Sequence, residues 1–192
     1  MTRSVYIIGG AGTGKSTFTA ELLKGHAWGP LEDLYALRNR KALVTLRGHR
    51  LSVDGLYLGV HRDSFPGSDG LDRASSPTAV AWLAAGNLPS WIIGEGATLA
   101  TRPFLTALAG CTDLLILHLT VDPFIADLRF AARGSNQNPG FVENTVTRSA
   151  NLANHLRDVA EVVTVDTGDE EQWAAALSAV RRHLGRVSSS VH

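Results

Sequence analysis

The chain has 192 residues, 44% apolar and 19% charged, and its 18 Lys+Arg balance 18 Asp+Glu. That composition excludes a disordered tail, and the zero net charge argues against a protein that coats nucleic acid through bulk positive charge. The lone Cys111 excludes an internal disulfide and a zinc–thiolate cluster, and no apolar run approaches the ~20 residues that cross a bilayer; residues 1–4 lead straight into a strand-like stretch with no signal-peptide pattern, so a cytoplasmic protein is expected.

Residues 5–8 read as a buried strand that ends in glycines, and residues 15–24 carry Phe18, Leu22 and Leu23 at helical spacing. Residues 42–46 and 55–60 are strand-like and separated by polar and glycine positions, which predicts a hairpin or a pair of strands within about 35–62. This stretch holds Arg38, Arg40, Lys41, Arg47, Arg50 and Arg62 against the single acid Asp54. Residues 61–76 are a loop of turn formers. Ser76 is placed to cap a helix with Pro77 in its first turn, running through Ala79, Val80, Trp82 and Leu83 to Gly86.

The remainder alternates. Residues 91–93 form a short strand, Thr101 and Pro103 open a helix that stops near Gly110, and residues 114–119 form a longer strand. Asp122 and Pro123 start a helix that ends at Gly134. A polar loop over 135–140 precedes a helix over about 142–159, and residues 162–165 are the last strand. Asp169 and Gln172 have capping-box spacing, followed by the helical stripe Trp173, Leu177, Val180 and Leu184. The tail over 186–192 is expected to fray. Strands separated by helices of this length predict a three-layer α/β fold, with a mostly parallel sheet flanked by helices, an inserted hairpin region, and a single domain over 1–185. The seven histidines show no metal-ligand spacing. His118, inside an apolar strand, reads as a core histidine with a backbone partner, and Cys111 as a small buried residue.

The strongest motif is Gly9-Gly10-Ala11-Gly12-Thr13-Gly14-Lys15-Ser16, a full G-x-x-x-x-G-K-[ST] between strand and helix. Glycines let backbone N–H groups turn around an anion, and the helix N-terminus adds partial positive charge. Residues Gly9 to Thr17 are therefore the expected nucleoside triphosphate site, with Lys15 reaching the β- and γ-phosphates and Ser16 offering its hydroxyl to Mg²⁺. The guanine-reading Asn-Lys-x-Asp and the transporter-type Leu-Ser-Gly-Gly-Gln are both absent.

With one such loop in a chain of this size and arginines late in the sequence, the protein resembles the P-loop kinases of nucleosides and nucleotides. The resemblance implies ATP and Mg²⁺, and three further parts. An apolar strand ending in Glu95 looks like a Walker B segment, with Glu95 joining Ser16 at the metal. Arg129 and Arg133, four apart on one helix face, and Arg148 beyond the polar loop look like a lid over about 129–148 that stabilises the transferring group. The acceptor's base is sought among the carboxylates of the loop after the second strand region. There Asp69, flanked by Gly67, Ser68 and Gly70, is the choice, and Asp63 is the rival. Arg102, which follows Glu95 closely, reads either as a phosphate contact or as a surface charge at the helix start.

The basic stretch occupies the acceptor region. It reads either as a solvated hairpin or as a groove for a polyanion. In size, single P-loop and glycine-rich acceptor loop, the chain is similar to the phage-type kinases that phosphorylate 5-hydroxymethyluracil within DNA, which would act in a host cytoplasm. Such an enzyme has to flip its base, and Trp28, Tyr35, Tyr57 or Phe65 are available to stack on it or to serve as core. The alternatives are a kinase of a free nucleoside or nucleoside monophosphate, and an NTP-binding regulator or ATPase with no acceptor.

Overall fold

A computed structural model describes residues 1–40, 42–52, 54–60, 70–135 and 137–185. Its elements are β1 Arg3–Gly9, α1 Lys15–Leu22, β2 Trp28–Arg38, β3 Leu43–Leu51, β4 Gly55–Leu58, α2 Ser75–Ala85, β5 Trp91–Glu95, α3 Arg102–Cys111, β6 Asp113–Thr120, α4 Pro123–Ala132, α5 Pro139–Leu156, β7 Glu161–Asp166 and α6 Glu170–His183. Among the described residues the strands form one sheet in the order β2-β3-β4-β5-β1-β6-β7. The five strands from β4 to β7 run parallel, and β2 and β3 add to one side as antiparallel strands.

Both faces of the sheet are apolar because β1, β5 and β6 are nearly continuous buried runs, as a doubly covered parallel sheet demands. One face packs Tyr6, Ile8, Ile92 and Ile116 against Trp82 of α2, Phe104 and Leu108 of α3, and Leu156 of α5. The other packs Val5, Ile7, Ile93 and Leu117 against Phe18 of α1 and Leu177 and Val180 of α6. Each fully buried side chain of this size contributes about 1.5–3 kcal/mol. The expected three-layer α/β fold is present.

Local chemistry sets the helix starts. The Asp122 carboxylate accepts from Phe124 N–H, Asn138 from Gly140 and Phe141 N–H, and Asp169 from Glu171 and Gln172 N–H. Gln172 reaches back past Asp169 to the Asp166 N–H, so the capping box is present in modified form. The Ser76 cap is corrected. Helix α2 begins at Ser75, the carboxylate of Asp72 accepts from Ala74 N–H just upstream, and the Ser76 hydroxyl instead bonds that of Thr101 at 2.7 Å.

The insertion also differs from expectation. Instead of two strands within 35–62, three antiparallel strands span 28–58, and β2 begins seven residues earlier than the expected region. Its pairing with β3 is irregular between Trp28 and Leu31 and again between Asp33 and Tyr35. Only Gly48 to Leu51 of β3 pair with β4, so the other half of the β2–β3 hairpin continues past β4 at the end of the sheet where the parallel strands finish. Cys111, expected to be buried, is the exposed last residue of α3. His118 is buried as expected, and burial followed by the charge of Arg157 pushes its pKa down, but among the described residues no backbone group bonds its ring. The tail over 186–192 lies outside the described residues.

Candidate active site

Between β1 and α1 the chain turns through Gly9–Gly14 at the carboxyl end of β1, the middle one of the five parallel strands, where open α/β sheets place their ligands. Gly14 precedes α1 with φ of 83°, in the left-handed region. A Cβ there would find its nearest neighbours at 3.6 Å, so the requirement for glycine is conformational, worth about 1–2 kcal/mol, and not a matter of space. No side chain caps α1, its first turn holds no acid, and among the described residues the N–H groups of Lys15, Ser16 and Thr17 have no protein acceptor. This leaves donors and helix dipole available to an anion.

The loop is braced from within. The Thr13 hydroxyl donates to Gly10 O at 3.0 Å, and Lys15 Nζ donates to Gly9 O at 2.9 Å and Gly10 O at 2.7 Å. Burial pushes the Lys15 amine below the usual lysine range, and the nearby Glu95 carboxylate pulls it back up.

Glu95 ends β5, paired with Ile7 of the neighbouring β1, and is only 8% exposed. Ser16 Oγ donates to Glu95 Oε2 at 3.2 Å. The structure thus joins the two residues expected at the metal. Tyr6, which the sequence reading passed over, holds this turn: its hydroxyl donates to Glu95 O at 3.2 Å and Gly96 O at 3.3 Å. Gly94 makes that possible, since a Cβ there would meet the Tyr6 ring at 2.6 Å. A glycine inside an apolar strand was the available signal.

The arginines separate. Arg129 lies against the loop, where its guanidinium donates to Gly12 O at 3.1 Å, Thr167 Oγ1 at 2.8 Å and Thr167 O at 2.8 Å. Three of its five N–H donors are engaged, which leaves two for a ligand. Burial, then the neighbouring Arg133 charge, push its pKa down, and Asp166 opposes them. Arg133 caps the end of α4 and Arg148 sits on α5. Both are exposed and, among the described residues, their side chains make no hydrogen bond. Trp173 of α6 lies beside Gly14, as Arg129 does, and stacks edge-on against Phe18 at 4.9 Å.

The family described as P-loop Nucleotide Kinase3 matches residues 1–182. The chain belongs to this P-loop nucleotide kinase family. Among solved structures, a sugar kinase from Janibacter sp. HTCC2649 is similar at a TM-score of 0.52 and 14% identity, over 94% of this chain and 95% of that one. A shikimate kinase from Acinetobacter baumannii in complex with shikimate gives 0.46 and 14%, over 98% and 97%. At such identity the first likeness shows the fold alone. None of the curated proteins matches the chain.

A nucleotide kinase of this family needs oxygen donors for Mg²⁺. Among the described residues no three His, Cys, Asp or Glu gather as a metal site. The fit therefore lies in Ser16 Oγ and Glu95 Oε2, two hard donors side by side, which suits a cation that takes one carboxylate and completes its shell with phosphate oxygens and water. The base candidates Asp69 and Asp63 lie outside the described residues, as do Arg62, Phe65 and Lys41. Of the aromatics considered for stacking, Tyr57 is core, and Trp28 and Tyr35 pack on the two cores half-buried. Arg102 is the exposed first residue of α3. Two charges of the basic stretch are paired: Arg47 with Asp33 at 3.1 Å and Arg50 with Glu32 at 3.2 Å, both acids of β2. No described helix is long and apolar enough to cross a membrane.

Proposed function

We propose that the protein transfers the γ-phosphoryl group of ATP, with Mg²⁺, to a hydroxyl of a nucleobase- or nucleotide-type acceptor. The observation that carries this reading is the meeting of Lys15, Ser16 and Glu95 at the mouth of the loop. The acceptor oxygen attacks the γ-phosphorus, the bond from that phosphorus to the β-γ bridging oxygen breaks, and ADP leaves. The hydroxyl proton passes to a carboxylate, for which Asp69 is the choice. Lys15 and the loop amides orient the phosphates, and Arg129 adds its two remaining donors, with Arg133 and Arg148 on the lid. Ser16 and Glu95 would hold Mg²⁺, which would supply neutralisation of the charge on the phosphate oxygens. Asp69→Asn should lower kcat about 10²–10⁴-fold with little change in the KM for ATP. If Asp63→Asn does this and Asp69→Asn does not, the base is Asp63.

The specific acceptor we favour is 5-hydroxymethyluracil within DNA. It is supported by the β2–β3 hairpin, which projects past β4 at the active end of the sheet and carries exposed Arg38 and Arg40 at its tip. A free nucleoside or nucleoside monophosphate is the second reading, favoured by the pairing of Arg47 and Arg50, which leaves fewer charges for a polyanion. Transfer of radiolabel from ATP to nucleosides, nucleoside monophosphates, ordinary DNA and DNA bearing 5-hydroxymethyluracil separates them. Label on the modified DNA alone is the expected result. Label on a small molecule establishes the second reading, and label on none, with ATP bound, leaves a regulator or ATPase.

A further inference from the structure

The phosphate loop is also gripped from outside, by α4 and α5, the two helices that carry the lid arginines. Arg129 of α4 holds Gly12 O. From α5, Thr145 Oγ1 accepts from Ala11 N–H at 2.9 Å and donates to Val142 O at 2.8 Å, while Val146 abuts Gly10. The bond to Val142 uses the hydroxyl's one proton, so the oxygen facing Ala11 acts as acceptor.

Ala11 N–H belongs to the same peptide unit as Gly10 C=O, and that carbonyl receives both Lys15 Nζ and the Thr13 hydroxyl. The peptide is planar and trans, so its N–H and C=O point in opposite directions. Holding the N–H toward α5 therefore holds the C=O toward Lys15.

We propose that Thr145 is a positioning residue: through the Gly10–Ala11 peptide it sets the orientation of the carbonyl that holds the Lys15 amine, and so ties the phosphate loop to the lid helix. The proposal rests on the reading of Gly9–Thr17 as the ATP site. Without the Thr145 oxygen this peptide can rotate, and Lys15 loses a fixed partner before phosphate arrives.

The test compares Thr145→Val, which keeps the shape and removes the acceptor, with Thr145→Ser, which keeps the acceptor, and with Thr145→Ala. ATP affinity is measured by calorimetry, KM and kcat by radiolabel transfer, and folding by thermal melts. Thr145→Val and Thr145→Ala should weaken ATP binding and raise its KM about three- to tenfold, the loss of one hydrogen bond. The kcat should stay within about twofold and the Thr145→Ser affinity should match wild type, as befits a role in ground-state binding. Wild-type affinity or tighter in Thr145→Val, or a Thr145→Ser variant as weak as Thr145→Val, overturns the proposal. A wild-type chain that binds no ATP overturns the reading of the loop itself.

Discussion

Lys15→Ala should lower phosphoryl transfer by about 10³-fold or more, about 4 kcal/mol of transition-state stabilisation. The amine sits on Gly9 O and Gly10 O, within the loop that is read as cradling the phosphates. Arg129 does not take its place, because its guanidinium is anchored on Gly12 O and Thr167 and keeps only two donors for the ligand. Lys15→Arg should not restore activity, since a planar fork cannot occupy the place of a compact ammonium. The fold should survive. Lys15 contributes nothing to either apolar core, and its loss leaves two loop carbonyls short of one donor. A circular dichroism melt alongside initial-rate measurements separates these effects. Retained transfer in a folded Lys15→Ala protein would defeat the mechanism.

The second large effect is expected at Glu95. Glu95→Gln preserves shape and removes the charge beside Ser16 and Lys15, so kcat/KM should fall about 10–100-fold and the Mg²⁺ requirement should rise. A second consequence concerns pH. Burial lowers the Lys15 pKa and the Glu95 carboxylate opposes it. With that carboxylate gone, burial acts unopposed, and Lys15 gives up its proton at lower pH. Only the ammonium form attracts phosphate, so the pH above which ATP binding fades should move downward in Glu95→Gln. Titrating ATP affinity against pH in both proteins checks this. An unmoved alkaline limit would show that the two groups do not communicate.

Much of the fold was legible because its signals are local. Apolar runs at residues 5–8, 91–93 and 114–119, the capping carboxylates Asp122 and Asp169, and the phosphate-loop glycines each act within a few residues. What was not legible depends on distant partners. The β2 sequence WGPLEDLYALR contains a glycine, a proline and two acids, and its two register shifts break the alternation that marks a strand; pairing with β3 makes it one. Those acids, Glu32 and Asp33, lie upstream of the stretch counted as basic, yet the hairpin register sets them beside Arg50 and Arg47. Thr145 stands 134 residues from Ala11 in a helix of ordinary composition, and nothing in its surroundings marks it. Lys15, Ser16 and Glu95, by contrast, were expected together because a motif and a strand end announced them, and the structure brings them together.

The irregular pairing of β2 bears on how the protein behaves when concentrated. An eleven-residue strand at the border of a sheet offers a row of backbone groups on which another molecule's strand can assemble, the first step toward ordered aggregates. Here Pro30 lacks an N–H, and the two bulges turn the backbone so that no long stretch of the row stays in phase. The ionised pairs across β2 and β3 would have to be stripped of water by any incoming strand. The same departures from ideal pairing that hid this strand in the sequence work against strand addition at this border of the sheet.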